Sequence, residues 1–157
     1  MKVVVLSGHS QGSVVCTAVV RLLAPDHRPQ VRLVTYGSQL QWAFARLFPT
    51  YMGHAEMEEM YAELGERWRN IHRWTDPLGG PVLTLPDSGS EPHPAVPARP
   101  GIGNADYDFR FVDPVTVGGD EAATVPPDMR GHSGYYLDPR FDDVVADLVE
   151  APPPVQP

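Results

Sequence analysis

At 157 residues, with 42 % apolar and 20 % charged side chains, the chain has the size and composition of one globular domain rather than of a disordered segment. Its formal charge of −8 and pI near 5.1 give a surface that repels nucleic acid and anionic lipid, so neither is expected as a partner. A single cysteine, Cys16, excludes an internal disulfide, and no cysteine pair points to a metal.

The elements follow from the hydrophobic pattern. Residues 2–7 (KVVVLS) are a short β-branched run and predict a buried parallel strand. No signal peptide is visible at this end, and no apolar run reaches the roughly 18 residues of a membrane span, so none is expected in this chain. Residues 12–23 predict a helix ended by Pro25 and Asp26, with Cys16 among Val14, Val15, Ala18 and Val19 expected as a small buried side chain. Residues 31–36 (VRLVTY) predict a second buried strand, stopped by Gly37 and Ser38, and residues 39–48 a helix up to Pro49. From residue 56 to 68, Met57, Met60, Tyr61 and Leu64 repeat at helical spacing and mark one face of an amphipathic helix. Residues 68–74 (WRNIHRW) alternate weakly and predict a third strand, ending at Thr75, Asp76 and Pro77.

Residues 86–105, rich in Pro, Gly and Ser, predict a long irregular loop. Residues 108–115 (DFRFVDPV) predict a fourth strand, which Pro114 restricts to an edge. Asp138 as N-cap and Pro139 at the first helical position open a final helix with a stripe of Phe141, Val144, Val145, Leu148 and Val149. The tail from Pro152 is expected to fray. Strands alternating with helices predict the α/β class, with a mostly parallel sheet of about four strands flanked by helices.

Gly8-His9-Ser10-Gln11-Gly12 fits G-x-S-x-G. The pattern is short, but it follows a predicted strand and opens a predicted helix, the context a nucleophile elbow requires. Such a turn lifts the serine hydroxyl out of the sheet, and side chains two positions either side of it are expected to collide, which accounts for both glycines. The helix N-terminus favours a developing negative charge, and the Gln11 backbone N–H is placed to donate to an oxyanion. Ser7, at the strand end, and Ser13, in the helix start, are poorer nucleophiles. His9 and Gln11 are expected to shape the turn and its rim.

A serine nucleophile needs a histidine base, and the base needs an orienting carboxylate. Of the six histidines, His132 follows the last predicted strand between Gly131 and Gly134, where a returning loop can bring its ring over Ser10. His72 is expected mid-strand in the core, His27 at a helix end, His54 in a loop and His93 within the Pro-rich segment. Asp76 lies at the C-terminal end of the third strand, the edge where functional groups collect in parallel sheets. Asp113 is the runner-up acid, and Asp106 and Asp108 are weaker. No spacing of His, Asp and Glu suggests a metal, and Gly8 and Gly12 without a lysine do not make a phosphate loop, so no cofactor is expected.

The order GHSQGS, TYGS, WRNI, TDPLGGPV and GHSGYYLDPRF resembles lipase-like α/β-hydrolase domains of actinobacteria, over residues 3–148. The resemblance implies Ser10 as nucleophile, Asp76 as acid and His132 as base of a carboxylic-ester hydrolase acting on small-molecule or lipid esters. In complete domains of this kind several strands precede the nucleophile strand, and an early loop supplies a second oxyanion donor. Residues 1–150 are therefore expected to form the C-terminal half of such a domain, lacking the N-terminal strands and requiring upstream residues for full activity. Strand 2–7, central in that sheet, is then left with one unpaired side through which the chain is expected to self-associate. Similar proteins can carry an upstream membrane region, which leaves localisation between the cytoplasm and a membrane. The competing expectations are a non-catalytic hydrolase remnant and an interaction module docking through the same edge.

Overall fold

The computed structural model describes residues 2–73, 75–82, 108–110 and 131–151. Three strands, β1 (Val4–His9), β2 (Val31–Tyr36) and β3 (Trp68–His72), lie side by side in parallel, with β2 in the middle. Val4 to His9 face Val31 to Tyr36, and Leu33 to Tyr36 face Trp68 to Ile71. A three-residue segment, Asp108–Arg110, runs parallel beside β3 with Asp108 opposite Asn70. The expected strand over 108–115 is described only at these residues; 111–115 and the expected loop over 86–105 lie outside the described residues, as does the tail from Pro152.

Helices flank the sheet. Helix α1 (Gln11–Leu22) connects β1 to β2. A π-helical turn (Leu40–Phe44) and the short helices α2 (Ala45–Leu47) and α3 (Pro49–Met52) lead to α4 (His54–Leu64), which precedes β3. Helix α5 (Pro139–Glu150) follows the described 131–138 stretch. Strand β2 is buried from Val31 to Thr35, because its alternating side chains feed two separate cores. Val31 and Leu33 pack with Val20, Met57, Met60, Leu64 and Trp68 on the side of α1 and α4. Val34 packs with Ile71, Tyr135, Phe141, Val144 and Leu148 on the side of α5. Each fully buried side chain of this size contributes about 1.5–3 kcal/mol, so the two layers clamp β2 and β3 from both faces.

Local chemistry sets the helix limits. Helix α4 begins two residues before the expected 56 and stops at Leu64, because Gly65 takes φ 54°, which breaks the α-helix, and a tighter 3-10 turn over Gly65–Arg67 follows. Helix α5 starts as its Asp-Pro signal requires, with the Asp138 carboxylate accepting from the Arg140 N–H at 3.1 Å. Its stripe buries Phe141, Val144 and Leu148 and half-buries Val145, while Val149 remains exposed. The expected single helix over 39–48 is instead the wide π turn followed by one turn of α-helix.

Two burial expectations are corrected. Strand β1 is not buried: Val3, Val4 and Val5 are 40 %, 48 % and 36 % exposed, because among the described residues β1 pairs only with β2 and borders the sheet. Cys16 is half-buried on the face of α1 that meets the core, not enclosed by it. Burial still pushes its thiol pKa up.

Candidate active site

The turn between β1 and α1 gives Ser10 φ 54° and ψ −121°, the one positive φ of a non-glycine residue among those described. Such a conformation costs of order 1–3 kcal/mol and persists only where its surroundings over-determine it. Here they do. The Ser10 N–H donates to the Tyr36 carbonyl at 3.0 Å, tying the turn to the end of β2. The Ser13 hydroxyl donates to the Ser10 carbonyl and lies 3.0 Å from the Ser38 hydroxyl, so buried Ser13 is structural.

The two elbow glycines are not equivalent. A Cβ on Gly8 would lie 2.6 Å from the Gly12 carbonyl oxygen and 2.8 Å from Ser13 Cα, an overlap with rigid backbone. A Cβ on Gly12 would meet nothing within 4 Å, which corrects the expectation that both positions are sterically closed. The close approach of strand and helix is made at Gly8 alone.

His132 reaches this turn from a distant part of the chain. Its Nε2 is 2.8 Å from Ser10 Oγ, and its Nδ1 is 2.8 Å and 3.0 Å from the two carboxylate oxygens of Asp76. A carboxylate accepts only, so Nδ1 carries the ring proton and Nε2 is left to accept from the serine hydroxyl. Ser10, His132 and Asp76 thus form one hydrogen-bonded series drawn from three separate segments.

Asp76 lies in the turn after β3, its side chain fully enclosed. Oδ1 accepts from the Leu78 and Gly79 N–H groups, both at 2.8 Å, and Oδ2 from the Tyr135 hydroxyl at 2.8 Å. Burial pushes the carboxyl pKa up, but the Leu78 N–H, the Tyr135 hydroxyl, the Gly79 N–H and His132 outweigh it and hold the group below its ordinary value. A Cβ on Gly79 would run into the Asp76 carboxylate and the Gly37 backbone, so Gly79 permits the turn to close over the acid, whereas a Cβ on Gly80 would meet nothing within 4 Å. The local turn role of Asp76 and its contact with His132 coexist.

The His132 loop has three further supports. His9 Nε2 lies 2.7 Å from the His132 carbonyl, which accepts, so His9 donates there; its ring stacks on Tyr36 with centroids 5.3 Å apart. Buried Arg73 donates to the Ser133 carbonyl at 2.8 Å and to the Gly134 carbonyl at 3.3 Å. Its guanidinium also sits 4.1 Å above the Tyr135 ring. Tyr135 is fully buried, and burial together with Asp76 pushes its hydroxyl pKa up, keeping it a donor. Gln39, just after β2, brings its side-chain amide to 3.4 Å from Ser10 Oγ.

Gln11 opens α1, so its backbone N–H is one of those left without a helical acceptor, and its side chain is exposed. The first turn of α1 holds no acidic residue to compensate the positive end of the helix. The other histidines stand apart from Ser10: His72 is buried in β3, His27 is exposed beside Asp26, and His54 opens α4 with Glu58 at 3.2 Å. His93, Asp106 and Asp113 lie outside the described residues, and Asp108 lies beside β3. Among the described residues, no cluster of three His, Cys, Asp or Glu is arranged to hold a metal, and no helix is long and apolar enough to cross a membrane.

Tyr135, Arg73 and Gln39 carry no role in the sequence pattern, and His9 is expected there only to shape the turn and its rim. Their partners are remote in the chain, and the one local signal was the aromatic pair directly after Gly-His-Ser-Gly. No family model, curated protein or solved structure matches the chain.

Proposed function

We propose that this chain is a serine hydrolase of carboxylic esters, lipase-like or esterase-like, built on part of an α/β-hydrolase fold with the 108–110 segment as the fourth strand of its sheet. The observation that carries the reading is the unbroken series Asp76, His132, Ser10, with 2.8 Å at each junction and a strained serine at the strand-to-helix turn. A structural serine needs neither the strain nor a histidine oriented by an enclosed carboxylate.

In the proposed reaction, Ser10 Oγ bonds to the ester carbonyl carbon while its proton passes to His132 Nε2 and the carbonyl π pair moves onto oxygen. The returning pair breaks the bond to the alcohol, and His132 gives its proton to the departing oxygen. Water repeats the sequence on the Ser10 acyl-enzyme and releases the acid. Asp76 remains ionised throughout, holding the His132 tautomer and stabilising the imidazolium. The Gln11 N–H and the positive end of α1 face the charge that develops on the carbonyl oxygen.

A fluorophosphonate probe tests this. It should label Ser10, mapped by peptide mass spectrometry, and Ser10→Ala should lose labelling together with about 10⁴-fold or more of kcat. Labelling of Ser38 or Ser133 with Ser10 untouched would refute the assignment. A second reading, an interaction module, is favoured by the exposed edge of β1 at Val3, Val4 and Val5. Failure of Ser10 to react, with the fold intact, selects that reading or a non-catalytic remnant.

A further inference from the structure

The single proton of the Ser10 hydroxyl is committed to His132 Nε2. Any other group facing Oγ must therefore donate, which fixes the amide of Gln39 with its NH₂ end toward the serine at 3.4 Å. Gln39 is not a loosely held surface residue. Its backbone has φ −94° and ψ 6°, in the sparsely populated bridge region where active-site residues recur. Its carbonyl accepts from both Ala43 and Phe44 at 3.2 Å. On one side the Ser38 hydroxyl accepts from the Leu40 N–H, and the Ser38 carbonyl accepts from the Gly80 N–H at 3.0 Å. On the other, Leu40 is fully buried in the core. The backbone that carries the donor is thus held in place by a π turn anchored at both ends.

We propose that Gln39 is a catalytic residue: its side-chain amide donates to the oxyanion formed on the Ser10 adduct, acting with the Gln11 backbone N–H as a two-donor oxyanion hole contained within this chain. This inference rests on Ser10 being the nucleophile. When Ser10 Oγ bonds to the carbonyl carbon, the new oxyanion lies about 2.3 Å from Oγ, the span of two C–O single bonds at a tetrahedral angle, so a flexible donor 3.4 Å from Oγ has the oxyanion within reach of its side-chain rotations. Before attack the amide rests on a serine lone pair. Oγ keeps two lone pairs as it bonds to carbon, but the oxyanion that appears next to it carries a negative charge and is the stronger acceptor. The interaction is therefore stronger in the transition state than in the ground state, the condition for raising kcat rather than lowering KM. The amide transfers no proton and leaves the atom and electron balance of acyl transfer unchanged. It supplies, from the end of β2, the second donor that the sequence led us to expect only from residues upstream.

Two replacements of the same length test the assignment in the whole chain. Gln39→Met removes the donor, and Gln39→Glu removes it and adds a charge that repels the oxyanion. With p-nitrophenyl butyrate as substrate, both should lower kcat by roughly 10²–10³-fold with little change in KM, and both should slow Ser10 labelling by a fluorophosphonate, whose phosphoryl oxygen uses the same donors. Their melting temperatures should stay close to that of the unmodified chain. Turnover within about threefold of the unmodified chain, or a loss confined to KM, overturns the role of Gln39 while leaving Ser10 as nucleophile. Loss of the melting transition in both variants also overturns it, in favour of a structural role. An unmodified chain that neither turns over ester nor labels at Ser10 removes the hydrolase reading and this inference together.

Discussion

Replacing Tyr135 by Phe removes one oxygen and little else. The ring keeps its contacts with Tyr36, His9 and Arg73, with centroid distances of 5.8 Å and 6.1 Å to the two rings and 4.1 Å to the guanidinium. What is lost is the 2.8 Å hydrogen bond to Asp76 Oδ2, together with the one the hydroxyl accepts from the Arg73 backbone N–H, in the buried interior. A hydrogen bond to a charged acceptor contributes about 1.5–3 kcal/mol. For a chain of this size each kcal/mol moves the melting temperature by about 2–4 °C, so Tyr135→Phe should melt about 3–12 °C lower at pH 7. The difference has a definite pH dependence. Because the fold holds the Asp76 carboxyl below its ordinary value, the stability it contributes is fully present above the unfolded pKa, about 3.9, and is lost as pH falls through the lower folded value. Without the Tyr135 donor the folded value rises toward the unfolded one. The gap between the two proteins should therefore be widest above about pH 4 and close below it, as both carboxyls take up a proton. Thermal unfolding followed by circular dichroism over a pH series measures this. A melting temperature within about 1 °C of the unmodified chain at pH 7, or a gap that stays constant into strong acid, would show that the hydroxyl does not act through the carboxylate.

Asp76→Asn should lower kcat by about 10⁴-fold in steady-state ester assays, since an amide at this position no longer fixes the His132 tautomer. Gly8→Ala should destabilise the chain by roughly 1–3 kcal/mol or more, because its Cβ overlaps backbone at Gly12 and Ser13. Gly12→Ala should instead be neutral or stabilising by up to about 1 kcal/mol, since the site is open and helical; urea denaturation of the pair separates the two glycines.

What the sequence discloses about this fold follows from how local each cause is. Strand β2 is read to the residue, because burial on both faces favours Val31, Leu33, Val34 and Thr35 in one short run between Pro29 and Gly37. The start of α5 is equally clear, because Asp138 and Pro139 act within one turn of themselves. The chemistry-bearing residues Ser10, Asp76 and His132 stand out through motif context and chain order, and the geometry brings them within hydrogen-bond distance of one another. The supports around them do not stand out. Tyr135 meets Asp76 across 59 positions and His9 meets His132 across 123, and no local pattern encodes such pairs. The π turn after β2 escaped for a related reason. Its residues have helical composition, and its distinctive bonds run to Gln39 from Ala43 and Phe44 and from Trp42 to the Leu78 carbonyl at 2.7 Å. The G-x-S-x-G pattern is symmetric in sequence, yet only Gly8 sits where strand and helix backbones touch.

The sheet is unevenly covered. The elbow is carried by its border strand, and among the described residues nothing pairs with β1 on the side away from β2. Val3, Val4 and Val5 leave that side apolar as well as unpaired, without the inward charge, proline or bulge that commonly protects a strand edge. A second copy of the chain offers a matching edge, and two β1 strands related by a two-fold axis can pair with each other. Sedimentation velocity over a range of concentrations should therefore show association. Val4→Lys, which places a charge at the first residue of β1, should shift the chain toward monomer. On the proposed hydrolase reading, turnover should respond differently from assembly. Ser10 is fixed from the opposite side, by the Tyr36 carbonyl, by Ser13 and by His132, and none of these contacts crosses the exposed edge. Esterase turnover per chain in Val4→Lys should then stay within about twofold of the unmodified protein. A chain that sediments as a monomer at every concentration, or a Val4→Lys variant that associates as strongly, would show that this edge is not a pairing surface. A large loss of turnover in a folded, monomeric Val4→Lys variant would show instead that the elbow depends on what covers β1.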